Sequence, residues 1–186
     1  MPRHQDDLTE IPQRPARRGV FRALTRRIWS PIWGWTRWIG ARLLALMFVL
    51  VFLFSFINPP TSWTILTETR AYPGTPRDWT PISQIAPIMV RSVVAAEDAN
   101  FCAHWGFDMV EIRKVVASGS SRGASTLTQQ TAKNVFLWQG RSWPRKMLET
   151  LYTPMIEALW SKRRIVEVYL NLAEFGPGVF GVAAAS

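Results

Sequence analysis

Two carboxylates and a set of cations carry the chemistry available to this chain. Glu97 begins the stretch Glu97-Asp98-Ala99-Asn100-Phe101-Cys102-Ala103-His104-Trp105-Gly106, and Glu149 closes Arg145-Lys146-Met147-Leu148-Glu149. Between them runs Gly123-Ala124-Ser125-Thr126-Leu127-Thr128-Gln129-Gln130-Thr131-Ala132-Lys133-Asn134. A carboxylate can act as a base that takes the proton of a hydroxyl, or as a stabiliser of a developing cation. Thr126, Gln129, Gln130 and Lys133 lie three and four residues apart and so share one helix face. A loop of small residues leads into that helix, leaving backbone N–H groups open to an anion. Arg141, Arg145 and Lys146 add cations nearby in sequence, a cluster that suits a diphosphate. Spacing alone leaves plainer readings open: a solvated polar face, a structural ion-pair network, and for Glu149 an i,i+4 surface pair with Arg145.

The elements that must position these groups read as helices. From Pro87, the apolar residues Ile88, Val90, Val93 and Val94 predict a helix that delivers Glu97 and Asp98 at its end. Asp108 with Glu111 resembles a capping box opening a helix from Met109 to Ala117. Residues 119–123 then form a loop, and Thr126 with Gln129 caps a helix running to about Leu137. Gly140 breaks the chain, Ser142 is expected to cap again, and Pro144 suits a first turn. Helices over 145–160 and 162–172 follow, with Pro154 expected to kink or end the first of them. Only a short strand at Trp63 to Thr67 is expected, and no convincing sheet. His104 reads as a hydrogen-bonded structural group, and with His4 the only other histidine there is no histidine metal cluster. Glu167 and Tyr169-Leu170-Asn171 read chiefly as architecture, and the single Cys102 as packing.

Composition bounds the surroundings. The chain has 186 residues and a formal net charge of +9, with the excess concentrated in an N-terminal arm rich in arginine. Residues 43–57 carry no charge and end at Asn58-Pro59-Pro60; with Trp38 to Arg42 added they approach the roughly 20 residues a bilayer core needs. Arg42 can snorkel, and Trp29, Trp33, Trp35 and Trp38 stand where an interfacial belt would lie. No small-residue cleavage pattern follows, so an uncleaved anchor is expected rather than a signal peptide. The positive-inside bias places the N-terminus in the cytoplasm and everything after Pro60 in the periplasm. A basic arm can mean nucleic acid, but the membrane segment after it argues against that. The expected organisation is a basic cytoplasmic arm over 1–37, a transmembrane anchor over 38–58, a juxtamembrane linker over 59–86 and one domain over 87–186.

These residues carry a resemblance. Glu97, Asp98, Phe101, His104 and Gly106 match E-D-x-x-F-x-x-H-x-G, the first motif of the monofunctional peptidoglycan glycosyltransferases. Gly123, Ser125 to Gln130, Lys133 and Asn134 match the second, with Ala124 in place of a glycine that the native backbone would need only at positive φ. Arg145, Lys146 and Glu149 match the third, R-K-x-x-E, and Lys162 to Asn171 resembles the fourth.

The resemblance implies an all-α, lysozyme-like periplasmic domain on one transmembrane helix in the inner membrane. It implies polymerisation of lipid II into β-1,4-linked glycan strands with release of undecaprenyl diphosphate. Glu97 would deprotonate the acceptor's 4-hydroxyl, and Glu149 would assist at the donor. Asp98, Ser125, Thr126, Gln129, Gln130, Lys133, Asn134, Arg141, Arg145 and Lys146 would bind substrate. Mg2+ or Mn2+ is a family cofactor for which no spacing here establishes a site, although Asp98 is a candidate ligand. Partners would be lipid II, the growing strand, and penicillin-binding or division proteins, with no nucleic acid. The chain stops at Ser186 within what resembles the fifth motif, so the family's closing helical segment and any transpeptidase domain are expected to be absent. The alternatives are a lytic transglycosylase or muramidase, and a non-catalytic membrane scaffold for cell-wall proteins.

Overall fold

The computed structural model describes residues 18–60, 78–119 and 123–185. Helix α1 spans Arg18–Phe56, beginning well before residue 38. Within it the window Trp33–Phe56 has 24 residues and a mean hydropathy of 2.4. At 1.5 Å per residue that is about 36 Å, long enough to cross a hydrocarbon core of roughly 30 Å.

The chain divides into two compact units, Met1–Ala45 and Leu46–Ser186. In the first, Trp33, Trp35 and Trp38 are exposed, and the Arg42 guanidinium lies 3.7 Å from the centre of the Trp38 ring. The cation is attracted to the electron-rich face of the ring. The Trp29 side chain and the expected strand at Trp63 to Thr67 lie outside the described residues.

The second unit contains the last turns of α1 together with α2 (Pro87–Glu97), α3 (Met109–Ser118), α4 (Leu127–Phe136), α5 (Trp143–Leu159) and α6 (Lys162–Leu172). A two-stranded antiparallel ribbon follows, β1 (Glu174–Gly176) and β2 (Val179–Phe180), then a short α7 (Val182–Ala185). Helix α4 packs on both α5 and α6. Leu127, Ile156, Ile165, Val168 and Leu170 are buried completely, each worth roughly 1.5–3 kcal/mol of apolar transfer. The Phe136 ring stacks on Tyr152 at 4.3 Å between centroids and on Phe54 at 5.8 Å. Met47 and Val51 of α1 belong to the same core.

Several sequence expectations are corrected here. The ribbon was not expected; its strands have three and two residues, too few for alternation to register. Gly178 at φ 73° makes its turn, and its N–H donates to Glu174 Oε1 at 3.1 Å. Pro154 does not end α5, which continues to Leu159. The carbonyl it deprives of an amide partner belongs to Thr150, an exposed residue where water can replace the lost bond. Ser142 occupies the N-cap of α5 without a side-chain cap. Ala124 has no positive φ, so its methyl group imposes no strain. Cys102 is exposed rather than packed. The remaining helix bounds fall within a residue or two of expectation.

Candidate active site

Asp98 is the joint of the site. It caps the C-terminus of α2, and its buried carboxylate accepts the Leu127 N–H at 2.9 Å and pairs with His104 Nε2 at 2.8 Å. It therefore ties the end of α2 to the start of α4. The intervening loop is held at four further points. Thr126 Oγ1 donates to the Gly106 carbonyl at 2.7 Å, and Lys162 Nζ donates to the His104 carbonyl at 2.8 Å while lying 4.3 Å from the Phe101 ring centre. Asp108 caps α3 by accepting the Val110 and Glu111 N–H groups, and takes the Asn100 amide on its other oxygen at 2.8 Å. These bonds, led by the Glu111 N–H, hold the Asp108 carboxyl below its ordinary pKa.

Glu97, one residue before this joint, is exposed. Its Oε2 accepts from Gln130 Nε2 at 2.9 Å, and Gln130 in turn accepts the Tyr169 hydroxyl at 3.3 Å. Burial first, and the Glu97 charge second, push the Tyr169 hydroxyl up to about 12. Tyr169 thus stays a donor at neutral pH; its contribution to stability is complete below pH 10 and is lost as pH rises from 10 toward 12. Glu97, Asp98, Asn100, Glu111, Ser125 and Thr126 line one open cleft of about 230 Å³.

Glu149 is in a different setting. It is buried, and its two oxygens pair with Arg145 at 2.9 Å and with Lys146. The i,i+4 pair with Arg145 forms, but buried rather than at the surface, and Lys146 Nζ also reaches Ser125 Oγ at 3.1 Å. Ser125 lines the Glu97 cleft, so this lysine connects the Glu149 cluster to it. Half-buried Lys133 completes the group: burial first, then the Arg145 charge, lowers its pKa, against the opposing pull of Glu149.

The structure therefore separates the expected site residues. Glu97, Asp98, Ser125 and Thr126 meet at the cleft, while Lys133, Arg145, Lys146 and Glu149 form the adjoining charged cluster. Gln130 joins Glu97 to Tyr169. Gln129 is spent on a reciprocal capping box with Thr126, Asn134 is buried in α4, and Arg141 is exposed with no ion pair among the described residues. The residue that sequence reasoning passed over is Glu157. It is buried and accepts Thr128 Oγ1 at 2.5 Å and Lys162 Nζ at 2.9 Å. A charge on the apolar face of α5 was its only signal.

Among the described residues, Asp98, His104 and Asp108 are close enough to share a cation. They do not fit a magnesium-type ion, which prefers open oxygen ligands. Each Asp oxygen here already takes a protein hydrogen bond, and the buried atom left without a partner is a nitrogen, His104 Nδ1. Asp98 and His104 bond to each other, while Asp108 is taken up by Asn100 and the start of α3.

A lysine whose folded pKa is lowered favours folding most above its unfolded pKa and loses that contribution as pH falls, so charged Lys133 costs stability at neutral pH. Lys133→Met is expected to raise the melting temperature by removing this desolvated charge, which thermal melts check.

Comparison with known proteins matches this arrangement to a family. The model of the family described as Transglycosylase matches residues 64–186. A protein named biosynthetic peptidoglycan transglycosylase from Jannaschia sp. (strain CCS1) is 56% identical over 142 residues, 76% of this chain and 59% of that protein. A protein of the same name from Yersinia pseudotuberculosis is 46% identical over 174 residues, 87% of this chain and 72% of its own length. One from Yersinia pestis is 45% identical over the same span. With the match covering every helix that shapes the cleft, the chain belongs to the transglycosylase family.

Proposed function

We propose that this chain polymerises lipid II into β-1,4 glycan strands and releases undecaprenyl diphosphate. The observation that carries the reading is the pairing of an accessible carboxylate, Glu97, with a half-buried cation cluster around Glu149 that is linked to the same cleft through Lys146 and Ser125. Glu97 takes the proton of the acceptor's 4-hydroxyl. The freed oxygen forms a bond to the donor's anomeric carbon, and the bond from that carbon to the phosphate oxygen breaks, the diphosphate leaving with the electron pair. Lys146, Arg145 and Lys133 meet that developing charge in a site partly closed to water, where fixed cations act most strongly. Glu149 holds Arg145 and Lys146 in place and faces the donor side.

The arginine-rich arm and the apolar helix support a single crossing of the inner membrane, with the N-terminus cytoplasmic and the cleft periplasmic. A cleft on that side of the membrane has access to a polyprenyl substrate resident in the bilayer.

The test is incubation of the membrane-reconstituted chain with lipid II. The expected product is a polymer that lysozyme digests, with preformed sacculi left intact. Soluble fragments released from sacculi, with no polymer from lipid II, would overturn the reading in favour of a lytic enzyme.

A further inference from the structure

Three polar side chains on one face of α6 make no contribution to the cleft. Arg164, Glu167 and Asn171 are spaced three and four apart, so they stand in a row. At one end of the row, the Arg164 guanidinium donates to the carbonyl of Phe54 at 3.1 Å, to that of Ile57 at 2.9 Å, and to Asn58 Oδ1 at 2.9 Å. Its remaining contacts are Glu167 at 3.0 Å and the Trp79 ring. At the other end, Glu167 accepts Trp79 Nε1 at 3.2 Å. Asn171 accepts the Thr80 N–H at 2.7 Å and donates to the Thr80 carbonyl at 2.9 Å.

The Phe54 carbonyl is one of the last in α1, where no following amide of the helix can satisfy it. It also lies inside the apolar window that ends at Phe56. An unsatisfied carbonyl is costly at the edge of hydrocarbon, and a cation at a helix C-terminus is favoured by the macrodipole. One turn earlier, Trp160 Nε1 donates to the Val51 carbonyl at 2.7 Å. A tether that only kept the domain near a membrane would need none of these bonds.

The geometry points to Arg164 as a positioning residue: with Glu167 and Asn171 it clasps the end of α1 and the chain at Trp79 and Thr80 to α6, setting the cleft at one height over the bilayer. The clasp acts through the anchor and touches no substrate. Its value to catalysis rests on the proposed reaction with a bilayer-resident lipid, but the clasp itself is measurable without activity.

Cys102 supplies the probe, being the only cysteine and exposed beside Asn100 at the cleft. The full chain, spin-labelled at Cys102 and reconstituted in phospholipid vesicles, is compared with Arg164→Ala and Arg164→Lys by depth measurement against a bilayer-dissolved relaxant. The expected result is one defined depth in the parent and loss of that definition in both variants, since lysine lacks the planar fork that reaches two carbonyls and an amide together. Should the alanine variant fail to fold, the lysine variant decides. An unchanged depth distribution in a folded variant would overturn the clasp. Polymerisation of vesicle-embedded lipid II should fall about tenfold, on the scale of a small misplacement of reacting groups, while a short-chain, water-soluble donor is used at the parental rate. Equal loss on both donors would mark Arg164 as merely structural. Failure of every chain to polymerise, with depth lost as expected, would count against the reaction and leave the clasp standing.

Discussion

Glu97→Gln is expected to lower polymerisation by about 10² to 10⁴, the range that general-base catalysis supplies, with the fold intact. The side chain is exposed and makes one hydrogen bond, to Gln130, which the glutamine carbonyl can still accept. Its charge, however, reaches Tyr169. Removing that charge should bring the Tyr169 hydroxyl down from about 12, which ultraviolet titration reads without reference to activity. Near-parental turnover of lipid II in the Gln variant would remove Glu97 from the mechanism. A lowered Tyr169 pKa alongside normal turnover would show that the carboxylate sits where described but does no chemistry.

The largest effect on stability belongs to Gly106. Its φ is +83°, and a methyl group there would lie 2.6 Å from Thr153 Cγ2 and 3.0 Å from Glu157 Cγ. Both neighbours are buried on α5, so neither can swing aside. Gly106→Ala combines left-handed strain with overpacking, together about 3 kcal/mol, or a fall of about 10 °C in melting temperature for a domain of this size. Gly123 is the control. A methyl group there meets nothing within 4 Å, and Gly123→Ala should shift the melt by less than about 0.5 kcal/mol. Equal melts for the two variants would contradict the docking of the 98–106 loop on α5.

How much of this was legible in the sequence depends on the range of the interaction. Caps are local, and Asp108 and Thr126 were readable because the groups they satisfy lie two or three residues away. Glu97 and Lys146 were readable as chemical candidates by type and order. What they touch was not, because the bonds from Glu97 to Gln130 and from Lys146 to Ser125 depend on how α2, α4 and α5 pack. The same holds for Asp98, read as a possible metal ligand and found tying two helix ends together. Glu157 was missed since its partners, Thr128 and Lys162, come from two other helices. Arg164, Glu167 and Asn171 fell within the motif-like stretch 162–171 with no sign of their row, since their partners stand at residues 54–58 and 79–80, distant in sequence.

Met47 and Val51 bear on how the protein is made. They are synthesised before the helices they bury against, and they lie in the window apolar enough to cross a membrane. The core around Ile156 and Trp160 is completed by these last turns of α1, and Trp160 Nε1 donates to the Val51 carbonyl. The order of synthesis makes α1 available before α5 and α6 condense on it. A chain shortened to begin after Pro60 would leave an apolar trough where α1 should lie, and its natural fate would be self-association rather than a soluble, active monomer.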